Sequence, residues 1–170
     1  MPSISTTLFH TFWQLTTFRL GPQDLPRSSV LLVVISVINL ILSITINHSV
    51  FSFGDSVLYG VLEMLVLTAV TSLLLVCFSS LNRLQQTLTA LMGCGAFISM
   101  LVVVVIVIIP SVPQWSQLAI FFWNLLVIAH VLRHALAVHF IAGFFCALGY
   151  AFALDYLIRV VGGGVAPAGA

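Results

Sequence analysis

Charge is what this chain of 170 residues has least of: 5% of its residues are charged, and all five basic residues are arginine. Soluble domains carry about 25% charged residues, which cover their surface. Hydrophobic residues make up 61% of this chain, and its mean hydropathy is +1.24. The composition predicts a protein embedded in a lipid bilayer. A net charge of +1 also offers no basic surface to nucleic acid, which excludes that class of partner.

Catalytic and metal-binding motifs are missing as well. Cys77, Cys94 and Cys146 lie inside apolar runs without CxxC or zinc-type Cys/His spacing, and they are expected to be small buried hydrophobic residues. The chain has no glycine-rich phosphate loop, no HExxH and no paired carboxylates. No h-region stands near the N-terminus, so no cleavable signal peptide is expected. The sequence predicts a protein that is not an enzyme and needs no cofactor.

Apolar runs of about 20 residues, the length that crosses a bilayer as a helix, fill most of the chain. The predicted spans cover about 29–46, 56–78, 87–109, 115–133 and 140–157. The expected fold class is therefore all-α, a polytopic membrane bundle of five transmembrane helices occupying residues 28–160. Residues 161–170, rich in Gly and Ala, are expected to form a flexible tail.

Residues 1–27 are expected to form a cytoplasmic amphipathic helix and a proline elbow. Large apolar groups return every three to four residues in this segment, among polar ones, and the helix is too polar to span. The pattern predicts an interfacial helix whose aromatic face, Phe9, Phe12, Trp13 and Phe18, points into the membrane. Packing along the outside of the bundle is the alternative. Gly21-Pro22 is expected to end the helix.

The arginines indicate a direction for the five spans. Four of them, Arg19, Arg27, Arg83 and Arg133, fall on one side of the membrane, and Arg159 falls on the other. By the positive-inside rule the N-terminus is cytoplasmic and the C-terminus periplasmic, in a bacterial inner membrane.

Glu63 is the one carboxylate well inside an apolar segment, and such residues are functional candidates by default. Each span contributes one polar group at about the same depth, counting roughly 1.5 Å per residue. This intramembrane polar layer consists of Asn39, Glu63, Ser99, Asn124 and Tyr150. The layer is interpreted as a hydrogen-bonded clasp that lets a protonated Glu63 be buried, with partner anchoring or a proton or cation relay as alternatives. No second titratable group is expected at matching depth for a relay.

The fourth span ends in His130, Arg133 and His134, and His139 follows. These four residues are predicted to lie at head-group level, in contact with lipid phosphate, helix ends or a protein partner. His130 and His134 are four residues apart and share a helix face, which leaves metal or haem binding as an alternative. His139 joins them only if the helix breaks between the two spans.

In the fifth span, Gly143, Ala147 and Ala151 recur every four residues. This small-residue stripe predicts close helix packing, within the bundle or against a foreign helix.

Five closely spaced spans, the elbow Pro22 to Pro26 and the fourth-span segment Trp123 to Arg133 resemble bacterial members of the Yip (Ypt-interacting protein) membrane-protein family. His130 stands near the position where that family often has a glycine, and the Asp-Leu-Tyr-Gly-Pro motif of eukaryotic members is absent. The resemblance implies a five-helix membrane protein without catalytic activity.

The sequence thus predicts an integral inner-membrane protein that acts as a non-catalytic scaffold or accessory subunit. Its expected partners are the lipid bilayer and other membrane-protein subunits. A small proton- or cation-coupled transporter or channel using Glu63 is the alternative. A haem or metal protein using His130 and His134 is a second one.

Overall fold

Six α-helices build the described part of the chain. The computed structural model describes residues 4–48, 51–108 and 114–161, without the side chains of 4–9, 106–108, 114, 117, 159 and 161. The helices are α1 (Ile4–Thr16), α2 (Ser29–Asn47), α3 (Phe53–Cys77), α4 (Leu84–Ile108), α5 (Gln114–Leu136) and α6 (Phe140–Val161). From α2 to α6 all five are long and apolar enough to cross a membrane. The all-α, five-span prediction is confirmed, whereas the predicted tail, 161–170, lies outside the described residues except for the last residue of α6.

Serines start two of the spans. Ser28 Oγ accepts a hydrogen bond from Leu31 N, and Ser52 Oγ accepts one from Asp55 N, both at 3.3 Å. Each bond satisfies one of the amides that a helix leaves unpaired at its start. The caps fix where α2 and α3 begin.

Left-handed residues end three of the helices. Phe18, Ser79 and Ala137 have φ of 64°, 53° and 55°, just beyond α1, α3 and α5. In each case the next amide bonds to the carbonyl five residues back, as in a Schellman motif: the three distances are 2.8, 2.8 and 3.1 Å. The prediction that Gly21-Pro22 stops α1 is therefore wrong by several residues, because the Schellman turn at Phe18 ends the helix first.

The five spans run alternately up and down, with α4 in the middle. It packs against α2, α3 and α5 and also against α1, while α5 and α6 form the most extensive helix pair. The turns at 78–83 and 137–139 lie at the same end, since Arg83 Nη1 donates to His134 O at 2.9 Å. We call this the arginine end. The other ends of the spans form the opposite end of the bundle.

α1 packs against the bundle. Phe12 and Leu15 are buried, Trp13 and Phe97 meet edge to face at 6.0 Å, and Trp123 Nε1 donates to Thr16 O at 3.2 Å. Phe97 is the fourteenth residue of α4, which puts this contact roughly 20 Å along the helix axis. The interfacial prediction is therefore corrected to its alternative, packing along the outside of the bundle.

The aromatic residues predicted to form one face of α1 differ in burial. Phe12 is buried, whereas Trp13 and Phe18 stay more than 40% exposed, and the side chain of Phe9 lies outside the described ones. Aromatic contacts and the burial of apolar area stabilise the packing of α1 against α4. Part of the helix face that was predicted to enter lipid therefore packs against the protein.

The small-residue stripe of α6 faces α5. Gly143 is buried so close to α5 that a Cβ there would lie 2.7 Å from Arg133 Cβ and 3.1 Å from Ala129 O. Ala147 is fully buried and Ala151 partly so. Between the two alternatives for this stripe, these contacts agree with packing inside the bundle.

Candidate functional site

The five residues of the predicted polar layer meet in the interior of the bundle. Asn39, Glu63, Ser99, Asn124 and Tyr150 all line one cavity of about 150 Å³ between the five spans. The five residues lie on five different helices but at a similar depth in the bilayer. Residues at equal depth in neighbouring spanning helices lie side by side, which explains why these five meet.

A second cavity of about 320 Å³ adjoins the first. Asn39, Glu63 and Ser99 belong to the walls of both. The second cavity continues past Ser43, Tyr59 and Asp155 to Asn47, the last residue of α2, and to Ile158 near the last residue of α6. We call the two together the polar cleft. It reaches from the end opposite the arginines to the middle of the bundle.

Glu63 is held by a serine that the sequence analysis did not single out. Ser43 Oγ donates to Glu63 Oε2 at 2.5 Å. Asn47 Nδ2 in turn donates to Ser43 Oγ at 3.2 Å and to Ser43 O at 2.9 Å. Asn47 thus orients the Ser43 hydroxyl, and this hydroxyl fixes the position of the Glu63 side chain in the wall of the cleft.

Helical spacing explains why α2 supplies this chain. Asn39, Ser43 and Asn47 are four residues apart and so lie on one face of α2. Gly60 on α3 lets the two helices approach, since a Cβ there would lie 3.1 Å from Leu40 Cδ1 and 3.6 Å from Ser43 Oγ. The i, i+4 repeat of polar residues in an apolar span was the sequence signal for Ser43.

The inner end of the cleft is closed by a buried hydrogen bond. Tyr150 Oη and Thr71 Oγ1 lie 3.1 Å apart, and both residues are buried. Thr71 was not predicted, because a threonine in a spanning helix usually bonds its own backbone. Beyond it, Leu75, Val131 and Leu132 are fully buried. This packed apolar layer separates the cleft from the arginine end.

The predicted clasp does not form. Among the described contacts, the five layer residues make no hydrogen bond to one another. Glu63 bonds Ser43 and Tyr150 bonds Thr71 instead. The physical reason is the cavity itself: the five side chains surround a space that is large and polar enough for water.

The cleft carries two carboxylates. Glu63 and Asp155 both line the second cavity, and no arginine belongs to its described lining. Asp155 lies nearly two helical turns before the end of α6, and it has no role among the sequence predictions. The sequence expectation concerned a titratable group at the depth of Glu63, and Asp155 lies nearer the mouth of the cleft, so that expectation stays a prediction. A path lined with carboxylate, amide and hydroxyl oxygens suits a small cation.

The histidines of α5 are held by protein groups. His130 is 5% exposed, and its Nε2 lies 2.8 Å from Leu20 O, with Phe18 packed edge to face at 5.3 Å. His134 Nε2 lies 3.2 Å from Arg133 Nη2, and the two imidazole rings are 4.7 Å apart. His130 thus fastens the segment after α1 to α5; of the predicted contacts, which were lipid phosphate, helix ends or a protein partner, its described ones lie within the chain.

These contacts bear on the metal alternative. Both Nε2 atoms already face a partner, and one of these partners is a guanidinium group, which repels a cation. α5 ends at Leu136, so the condition under which His139 could join the other two histidines, a helix break before it, is met, but His139 is exposed. Within the described ranges no three His, Cys, Asp or Glu residues are grouped so that they could hold a metal ion. The arrangement disfavours the haem or metal reading.

Comparison of the chain with family models, with curated proteins and with solved structures gave no match. The resemblance to the Yip family stays a prediction from sequence. What the fold and the helices establish is an integral, multi-pass membrane protein of five spanning helices.

Proposed function

We propose that this membrane protein is a small transporter that binds a proton or monovalent cation at Glu63 and moves it through the polar cleft. The observation that carries the proposal is the position of Glu63 in the walls of both cavities, between the mouth and the middle of the bundle. An ionisable group inside a membrane is costly unless it serves a pathway or a partner. The cleft supplies a pathway.

The groups along the cleft support a cation rather than an anion. Ser43, Asn39 and Tyr59 offer oxygens as neutral ligands around the two carboxylates. Ser43 bonds Glu63 Oε2, and Oε1 has no hydrogen-bond partner among the described residues. A cation or a proton at Oε1 neutralises the charge of this half-buried carboxylate, which lowers the cost of holding it inside a membrane.

Transport requires a second conformation. The cleft is closed towards the arginine end by the packed layer around Leu75 and Leu132. A carrier works when such a layer opens on one side as the other side closes, around a fixed site. Glu63 would be that site.

The test is flux into liposomes that contain the purified full-length protein and an internal pH-sensitive dye. High internal K⁺ with valinomycin makes the interior negative, and the external buffer contains choline or Na⁺. In the Na⁺ series an internal Na⁺-sensitive dye reports cation entry. We expect flux from the wild type and none from Glu63→Gln. Asp55→Asn is the matched control, since it also replaces a carboxylate of α3 by an amide. Asp55 lies in the helix cap with Ser52 and does not line the cleft.

Flux no greater than that of protein-free liposomes would overturn the proposal, as would equal flux from Glu63→Gln and the wild type. The scaffold or accessory-subunit prediction has its own test, which is native mass spectrometry of protein gently solubilised from its own membranes. Release with a larger complex at fixed stoichiometry supports the accessory role. Release alone or as a homo-oligomer contradicts it.

We also propose that the arginine end faces the cytoplasm of a bacterial cell. Arg27, Arg83 and Arg133 share one pocket there, which supports the predicted grouping of basic residues on one side.

A further inference from the structure

A polar pocket of about 480 Å³ lies at the arginine end, remote from the polar cleft. Its walls are Gln23, Arg27, Arg83, Gln86, Arg133, His134, Ala137 and Val138. We call it the arginine pocket. The three guanidinium groups come from three separate places in the sequence: the linker after α1, the turn before α4 and the last turn of α5. Three of the five basic residues of the chain therefore converge on one space.

Protein groups position each arginine without neutralising it. Arg27 Nε donates to Gln86 Oε1 at 3.3 Å, and Gln86 itself is buried, with its Nε2 donating to Leu25 O at 2.7 Å. Arg83 Nη1 donates to His134 O at 2.9 Å and to Ala135 O at 3.3 Å. These partners are neutral amides and carbonyls, so the positive charges remain.

Arg133 is held in a similar way. Its Nη2 lies 3.2 Å from His134 Nε2, and its Cζ lies 5.9 Å from the centre of the Phe140 ring. In these contacts each of the three guanidinium groups uses one of its nitrogens. Among the described residues the other two nitrogens of each group have no hydrogen-bond partner, and all three arginines line the pocket.

Acidic groups do not line this pocket in the described part of the chain. Asp24 lies just outside the wall, near enough for its charge to act on His134. Its Oδ2 accepts from Gly21 N at 2.8 Å, which closes the turn before the linker. Three like charges around one space repel one another, and the repulsion is stronger beside a low-dielectric membrane than in water. An anion in the pocket would relieve it.

We propose that the arginine pocket binds a phosphate group, carried either by a lipid head group or by a free phosphate compound. Phosphate offers several acceptor oxygens at the spacing of a guanidinium fork, which makes arginine its preferred partner. The pocket volume lies within the range of about 300–1,000 Å³ that small-molecule sites occupy. Its place at the ends of α4 and α5 puts it at the level of lipid head groups.

The proposal is independent of transport through Glu63, because the packed layer around Leu75 and Leu132 separates the two sites. It also assigns a ligand to Arg27 and Arg83, which sequence reasoning used only to orient the chain, and joins them to Arg133, for which lipid phosphate was one predicted contact. The sequence alone could not bring Arg27 and Gln86 together, because their hydrogen bond forms only when the linker folds back onto α4.

The experiment uses the full-length protein, stripped of lipid in detergent. One arm titrates dioleoyl phosphatidylglycerol and, separately, dioleoylglycerol, which lacks the phosphate, with bound lipid counted by native mass spectrometry. A second arm titrates inorganic phosphate and follows both the thermal unfolding of the protein and the displacement of bound phosphatidylglycerol. The variants are Arg27→Gln and Arg133→Gln, with Arg19→Gln as matched control, since Arg19 is exposed and does not line the pocket.

We expect the wild type to bind a phosphate-bearing probe and not dioleoylglycerol. Each pocket variant should bind about tenfold more weakly or worse, as expected for the loss of a charge-assisted hydrogen bond. Arg19→Gln should stay within about twofold, the effect of one screened surface charge. Binding of phosphatidylglycerol without displacement by inorganic phosphate identifies the lipid head group as ligand, and saturable binding of inorganic phosphate identifies a free phosphate compound.

Two results would overturn the proposal. In one, neither phosphate-bearing probe binds the wild type. In the other, Arg19→Gln weakens binding as much as Arg27→Gln, which would reduce the effect to general surface attraction. To separate loss of the charge from misfolding, Arg27→Lys is included as a second variant that keeps the charge. It should retain part of the affinity, and only variants with wild-type circular dichroism and elution volume are compared.

Discussion

The ring of Phe12 lies against Gly93, so that a Cβ on residue 93 would overlap Cε1 of the ring and come within 2.7 Å of Cδ1. Glycine at this position of α4 is what admits α1 to the bundle. The ring also covers part of an apolar groove between α2 and α4 that includes Ile35 and Phe97.

Gly93→Ala is therefore expected to destabilise the protein by about 1–3 kcal/mol, the usual cost of overpacking a core. Thermal unfolding in detergent measures the change. Gly149→Ala is the control, since no atom lies within 4 Å of its added Cβ, and it should be neutral or slightly stabilising. A double variant with Phe12→Ala should lose less than the sum of its two single changes. Additive losses would contradict direct contact.

Removal of the hydroxyl of Ser43 should impair Glu63. Ser43→Ala deletes the 2.5 Å bond to Glu63 Oε2, at a cost of about 1.5–3 kcal/mol when the acceptor is charged. We expect lower flux and lower thermal stability together. The control is Ser72→Ala, because Ser72 Oγ bonds only Thr68 O within its own helix. If both variants behave alike, the Ser43 bond has no special role.

His130 should hold the segment that follows α1. Its ring contacts Phe18 and Leu20 O, so His130→Ala should speed amide hydrogen exchange in residues 17–21 and leave exchange in α6 unchanged. His139→Ala is the control, since His139 is exposed. Unchanged exchange in residues 17–21 would show that α1 is held by Phe12 and Trp123 alone.

Left-handed Ala137 offers a stabilising substitution. An L-residue in this conformation costs about 1–2 kcal/mol, and glycine avoids the cost at an entropic penalty of about 0.5–1 kcal/mol. Ala137→Gly should raise the stability by about 0.5–1 kcal/mol in thermal unfolding. Ala142→Gly, at an exposed position inside α6, should lower it by about 1 kcal/mol. Destabilisation by Ala137→Gly would argue against the turn.

Membrane orientation can be checked with single added cysteines in a chain that carries Cys77→Ser, Cys94→Ala and Cys146→Ala. His48→Cys lies at the end opposite the arginines, and Asn82→Cys lies at the arginine end, both at exposed positions. A membrane-impermeant maleimide applied to intact bacteria should label His48→Cys and reach Asn82→Cys only after lysis. The reverse pattern would contradict the cytoplasmic assignment of the arginines.

Hydropathy was sufficient to predict the five spans, and counting residues along each span was sufficient to predict that the polar layer residues lie close together. Both predictions follow from the thickness of the bilayer. Rotation and tilt of helices do not follow from it. The bond from Ser43 to Glu63 depends on which face α2 turns towards α3. The polar face of α2 could be predicted from the sequence, because Asn39 and Asn47 each lie four residues from Ser43. The packing of α1 against Gly93 and the meeting of Arg27 with Gln86 depend on tertiary contacts, for which the sequence has no periodic signal.

A half-deep cleft also reshapes the voltage across the membrane. Water in the polar cleft brings the potential of the solution at its mouth inward towards Tyr150, so the field concentrates over the packed layer that contains Leu75 and Leu132. One elementary charge gains about 2.3 kcal/mol per 100 mV in crossing a membrane. An ion at the inner end of the cleft has therefore crossed only a small part of the membrane potential. Most of the potential difference would fall across the packed apolar layer.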